Sequence, residues 1–216
     1  MKLSNNVFSS TGTSSLTESA FYALLGGMVT WGLGVTAVCA HVATEMNFHM
    51  GLIGLLVLGL GIPILGIFMT RAENIPVAFL GYNLICAPFG FVLSPMLNQY
   101  SPNVVLNVAL QTAAIAVVMG FAGVTFPGVF SKLGSALFFA LIGLIVVQLV
   151  SIFVPSMRGD WISIIAAGIF SLYIGYDMWR ASTIPQTAHS AIQVAAALYM
   201  DIINLFVNLL SLSKRN

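Results

Sequence analysis

Long apolar stretches, each about as long as a bilayer is thick, follow one another along nearly the whole chain. A helix needs about 20 apolar residues to cross the hydrocarbon, and continuously apolar stretches favour helices, since the strands of a membrane β-barrel alternate. Charged and turn-forming residues fall between the stretches. The pattern predicts an all-α integral membrane protein, a seven-helix bundle with spans at about 19–40, 50–70, 75–97, 104–126, 134–154, 161–178 and 190–212.

Composition leaves little of the chain for anything but these spans. Of the 216 residues, 59% are hydrophobic and 6% are charged, whereas soluble domains carry about 25% charged residues. We expect one transmembrane bundle over residues 18–212, a polar tail over 1–17 and a short basic end over 213–216. The net charge of +1 indicates no nucleic-acid partner. The bilayer is the expected partner, and the short tail and compact loops are typical of a prokaryotic plasma membrane.

The orientation in the bilayer stays open from the sequence. If all seven segments cross, the seven basic residues divide four against three between the two sides. If the last segment re-enters without crossing, they divide six against one. The positive-inside rule thus favours re-entry, whereas the length of the last segment favours a full span.

The last segment carries polar residues where a lipid-facing helix would be apolar. Asp201 lies 11 residues beyond Ser190, about 16 Å into a helix. Asn204 and Asn208 follow at spacings of three and four residues, which places them on the same face as Asp201. An acid at this depth is costly against lipid, so we expect the segment to lie among the other helices. The stripe is either a polar network that fixes helix packing or a functional site.

Asp177 lies at the end of the sixth predicted span, four residues after Tyr173 and three before Arg180. One interpretation is an ion pair with Arg180 at the membrane interface. The other follows from the short connection between the last two spans, which allows them to pack antiparallel and brings Asp177 to Asp201. Two carboxylates about 4 Å apart repel by about 4 kcal/mol at an effective dielectric near 20, so such a pair would share one proton.

A carboxyl pair of this kind suggests two properties. The shared proton bridges the two groups and full ionisation drives them apart, which would make the pair a proton-controlled latch. Once ionised, Asp177 and Asp201 are hard oxygen ligands that suit transient binding of Ca²⁺. Arg71, after the second span, is the nearest candidate counter-charge, although Glu73 is available to pair with it instead. The expected polar network around the pair consists of Tyr173, Asn204, Asn208 and Arg71.

Two stretches of the sequence resemble a known family. Phe170–Asp177 reads FSLYIGYD and Ala197–Leu210 reads ALYMDIINLFVNLL. This pairing resembles the Bax inhibitor-like proteins, also called the transmembrane Bax-inhibitor-motif family, including their bacterial calcium-leak members. The two motifs cover about a tenth of the chain, and elsewhere the likeness is one of span pattern and length.

The resemblance implies a seven-helix bundle with its last helix near the centre, and a pH-dependent leak of Ca²⁺ gated by a di-aspartyl pair. The two aspartates of that sensor correspond to Asp177 and Asp201. Calcium-leak members also have arginines after the second helix. The one that faces the aspartates aligns with Thr70, and Arg71 stands one place further on. Some bacterial members are linked to a membrane-bound protease as modulators.

Three candidate functions fit these residues to different degrees. The first is a pH-sensitive calcium or cation leak channel gated by Asp177 and Asp201. The second is a non-transporting regulator that binds another membrane protein, such as a membrane protease. The third, an intramembrane aspartyl protease, is disfavoured because Leu198–Asp201 reads LYMD and lacks the Gly-x-Gly-Asp motif of presenilin-like enzymes. We expect no enzymatic activity and no cofactor, with Ca²⁺ as the transported ion.

Overall fold

The computed structural model describes residues 15–154 and 159–213. Most of the predicted polar tail (1–17) and of the predicted basic end (213–216) lies outside these ranges. The first span is α1 (Glu18–Glu45), which begins where the Thr17 side chain accepts a hydrogen bond from the Ala20 N–H. The second span consists of α2 (Leu52–Leu56), a π-helical turn (Val57–Gly61) and α3 (Ile62–Met69).

Prolines open several of the later helices, because a proline in the first turn sacrifices no helical hydrogen bond. In the described residues seven helical segments are long and apolar enough to cross a bilayer, and none of these residues forms a strand. The predicted all-α fold with seven spans is therefore confirmed. The remaining helices are α4 (Ile75–Leu97), α5 (Pro102–Thr125), the short α6 (Pro127–Phe130), α7 (Gly134–Phe153), α8 (Asp160–Thr183) and α9 (Ala188–Leu212).

Two helices continue well beyond the apolar stretches that predicted them. The first span was predicted to end at residue 40, and α1 continues to Glu45. The sixth was predicted to end at residue 178, and α8 continues to Thr183. Hydropathy marks the part of a helix that lies in lipid, whereas backbone hydrogen bonds carry the helix on past the interface. As a result Asp177 lies inside α8 and not at its end.

The last helix is the centre of the bundle. It packs against α1, α4, α5 and α8. In its most apolar stretch 56% of the residues are buried, against 11% for the second span and 11% for α7. The expected central position of the last helix is confirmed. At the periphery the second span packs mainly against α4, and α7 packs mainly against α8.

Candidate functional site

The two predicted aspartates meet where α8 crosses α9. The side chains of Asp177 and Asp201 lie close enough to interact directly with each other, and only 6% and 8% of the two residues is exposed. A carboxyl group donates a hydrogen bond only when it carries a proton, so two carboxyl groups this close can bond to each other when they share one proton. Asp201 Oδ2 is buried and has no hydrogen-bond partner among the described residues.

A contact between two glycines holds α8 in place just before Asp177. A Cβ added to Gly123 of α5 would collide with the backbone carbonyl of Gly175, and a Cβ added to Gly175 would collide with the Phe130 ring. Only glycine permits backbones to approach this closely. Because residues two apart on a helix face nearly opposite directions, anchoring Gly175 against α5 leaves Asp177 free to face α9.

A hydroxyl cluster holds α9 in place just before Asp201. Tyr199 is fully buried, and its Oη lies 2.6 Å from Thr36 Oγ1 of α1. Thr36 Oγ1 in turn lies 2.9 Å from the Gly32 carbonyl oxygen and 3.0 Å from the Cys86 carbonyl oxygen of α4. The cluster thus joins α9 to α1 and α4 on the side away from α8. Each aspartate therefore has an anchor two residues upstream on the opposite face of its helix.

A second buried tyrosine extends this cluster. The Tyr82 hydroxyl of α4 donates to the Met28 carbonyl oxygen of α1 at 2.7 Å, and its ring meets the Tyr199 ring edge to face, with centroids 6.0 Å apart. The sequence pattern did not predict that Thr36, Tyr82 and Tyr199 lie together beside the site. The available signal was Tyr199 itself, since a tyrosine in the middle of a central helix needs a partner for its hydroxyl.

The other predicted site residues divide into those near the pair and those away from it. Tyr173 lies close enough to interact electrostatically with both carboxyl groups. Asn204 and Asn208 instead donate to carbonyl oxygens one turn back on their own helix, those of Met200 at 2.8 Å and Asn204 at 2.7 Å. Each amide thus forms a hydrogen bond within its own helix, which offsets the free-energy cost of burying it in the bundle.

Of the two basic residues that the sequence offered as partners of the acids, Arg71 and Arg180, the structure brings Arg180 close to Asp177. Arg71 is exposed in the turn after α3, and within the described ranges it forms no salt bridge with either carboxyl. Its neighbour Thr70 is buried, and the Thr70 carbonyl oxygen accepts from Gln193 Nε2 of α9 at 3.5 Å. The cation that interacts electrostatically with Asp177 is Arg180, one turn further along α8.

The pair offers oxygen ligands but no ready-made metal centre. Among the described residues no group of three His, Cys, Asp or Glu side chains is placed to hold a metal ion. Resident Ca²⁺ takes about six to eight oxygen ligands, so two carboxyl groups suit a passing ion better. A cavity of about 430 Å³ lies beside α9, but it is lined mostly by apolar side chains of α1, α4 and α5, and neither aspartate lines it.

Comparison with known proteins gives consistent results over nearly the whole chain. The family model described as "Inhibitor of apoptosis-promoting Bax1" matches residues 19–216. An uncharacterized membrane protein of Streptococcus pyogenes serotype M3 is 30% identical over 213 residues, which covers 91% of this chain and 93% of that protein. An uncharacterized membrane protein of Vibrio cholerae is 29% identical over 196 residues, covering 83% and 84%. Inner membrane protein YbhL of Escherichia coli K12 is 27% identical over 208 residues, covering 88% and 89%.

Proposed function

The chain belongs to the Bax inhibitor-like family of multi-pass membrane proteins, and we propose that it is a pH-sensitive leak for Ca²⁺ or related cations. The proposal rests on one observation, the close approach of the buried Asp177 and Asp201 side chains inside the bundle. Acids in the interior of a membrane protein mark an ion or proton pathway by default, because burying them is costly. The resemblance of the two motifs to calcium-leak proteins supports the same function.

The gate works through the shared proton. With one proton between them, Asp177 and Asp201 hold α8 against α9, and the apolar side chains around them block cations. When that proton leaves, two carboxylates about 4 Å apart repel by about 4 kcal/mol at an effective dielectric near 20. This repulsion favours separation of the two helices. The freed oxygens, including the unpartnered Oδ2 of Asp201, then supply hard ligands for a passing cation.

We place this activity in the plasma membrane of a prokaryote, following the name of the Escherichia coli relative as an inner membrane protein. Transport of the ion requires no resident cofactor, and the carboxyl pair carries out no catalytic step. The alternative function is that of a regulator without transport, whose protein partner would be a membrane-bound protease.

The test is cation flux through the purified protein in lipid vesicles, followed with a Ca²⁺-sensitive dye at several pH values. We expect flux through the wild type to rise with pH, because deprotonation opens the gate. Asp201→Asn keeps the shape and the hydrogen bond of the side chain but cannot ionise. Flux through this variant should lose its dependence on pH, and Asp177→Asn should behave in the same way.

The matched control is Glu73→Gln, which removes an exposed acid from the turn before α4. This variant should keep the pH response of the wild type. An Asp201→Asn variant with unchanged flux and pH response would contradict the gate. A wild type that conducts no more than protein-free vesicles, but co-purifies with a membrane protease, would instead support the regulator.

A further inference from the structure

Three amides follow one another along the outer side of α5. Asn103, Asn107 and Gln111 are exposed and spaced four residues apart, which places them on one face of the helix. The side chains of α5 that pack into the bundle lie on the opposite face. These buried positions are Val108, Thr112, Gly120 and Gly123. The amide stripe, defined as Asn103, Asn107 and Gln111, therefore faces away from the protein, towards the membrane.

Two of these amides lie at the depth of the hydrocarbon. The 24 residues of α5 span about 36 Å, whereas the hydrocarbon is about 30 Å thick. Gln111 stands about 14 Å along the axis from the first residue of α5, and Asn107 about 8 Å. A glutamine side chain at that depth is too short to reach the headgroups. Within the described ranges neither amide has a hydrogen-bond partner.

Amides without partners are unfavourable in hydrocarbon, which has no hydrogen-bonding groups of its own. Between membrane helices, Asn and Gln side chains form hydrogen bonds from one helix to another. We propose that a second copy of this chain covers the stripe, so that two copies associate with α5 against α5. In this arrangement each Gln111 amide bonds to the same amide of the other copy, and each Asn107 does likewise.

A second copy satisfies the stripe because its chemistry complements itself. For two copies inserted with the same orientation, a two-fold axis along the membrane normal brings residues of equal depth together. A primary amide contains both a donor and an acceptor and therefore pairs with its own image. Ala114 is exposed on the same face, and a small residue there allows the two helices to approach closely. A different protein would need hydrogen-bonding side chains at the same depths to do the same.

The first test measures association of the full-length protein in lipid vesicles, by energy transfer between labelled copies at several protein-to-lipid ratios. The wild type should associate reversibly. Gln111→Leu should raise the dissociation constant by roughly three- to twentyfold, whereas Gln111→Asn, which keeps an amide, should have a smaller effect. The control is Gln148→Leu on α7. Gln148 is also exposed, but it lies on a helix that takes no part in the proposed contact, so this variant should associate like the wild type.

A second test does not depend on the amides. Ala114→Cys should form a disulfide between copies under mild oxidation, while Val146→Cys, 52% exposed on α7, should not exceed the background from the native Cys39 and Cys86. Three results would each overturn the proposal. These are a wild type without energy transfer at any density, equal effects of Gln111→Leu and Gln148→Leu, and cross-linking of Ala114→Cys only to a different membrane protein.

Discussion

Tyr199 lies two residues before Asp201, and its hydroxyl links α9 to α1 and α4. Its Oη contacts Thr36 Oγ1 at 2.6 Å, between two helices that are distant in sequence. Hydrogen bonds inside a membrane protein contribute modestly, because the unfolded chain in lipid finds other partners. The contact therefore matters more for the rotation of α9 about its axis, and hence for where Asp201 faces, than for total stability.

Tyr199→Phe should consequently lower the free energy of unfolding by about 1 kcal/mol. The ring stays packed against Tyr82, and only the contacts of the hydroxyl with Thr36 and with the Cys86 carbonyl oxygen are lost. The measurement is equilibrium unfolding in mixed detergent micelles. Tyr22→Phe is the matched control, because Tyr22 lies half-buried on α1 and its hydroxyl has no hydrogen-bond partner in the described residues. Equal losses in the two variants would argue against the role of the hydroxyl.

The hydrogen-bond partners of Asn204 and Asn208 could not be predicted from residue type and spacing. Spacing places both on the face of α9 that carries Asp201, and this favoured a shared network. Their amides instead bond to backbone carbonyl oxygens of the same helix. A carbonyl one turn back is available to any such residue, so polarity within a span does not by itself indicate a contact with another helix.

Between elements, the contact of α5 with α8 depends on the absence of side chains. Gly123 and Gly175 bring the two backbones together just before Asp177. Hydrophobic burial does not drive helices together in lipid, so close packing of this kind contributes much of the association.

Gly123→Ala should destabilise the bundle by about 1–3 kcal/mol, because the new methyl group collides with backbone that cannot move aside. Gly168→Ala on α8 is the control, since a Cβ there has no neighbour within 4 Å. That variant should be neutral or stabilised by up to about 1 kcal/mol through helix propensity. Thermal unfolding of the two variants in the same detergent compares them, and similar melting temperatures would contradict the close approach.

Across the whole molecule, truncating a buried side chain at the centre of the bundle should lower the free energy of unfolding more than truncating one at its periphery. Leu205 of α9 is fully buried, whereas Leu149 of α7 is 54% exposed. Leu205→Ala should lower the free energy of unfolding by about 2–5 kcal/mol, because the neighbouring helices cannot close the cavity that the substitution leaves. Leu149→Ala should cost under about 1 kcal/mol, since lipid or detergent fills the space. Equilibrium unfolding measures both, and equal costs would mean that α9 is not the packing centre.

The central position of α9 could be anticipated from Asp201, because an acid in the middle of a span avoids lipid. The peripheral positions of the second span and α7 could not. Their sequences are among the most apolar in the chain, which in a soluble protein would place them in the core. In a bilayer the outside is as apolar as the inside, so hydrophobicity does not tell a buried face from a lipid-facing one.

The sequence by itself determined that the chain crosses the membrane as seven helices and which residues are costly there, because the bilayer sets the length and polarity of a span. The tertiary structure alone decided which of those residues meet. It joined Asp177 to Asp201, left Arg71 exposed, connected Tyr199 with Thr36 and turned Gln111 outwards. These outcomes depend on the rotation of each helix about its axis, which small residues and single hydrogen bonds fix and hydropathy does not.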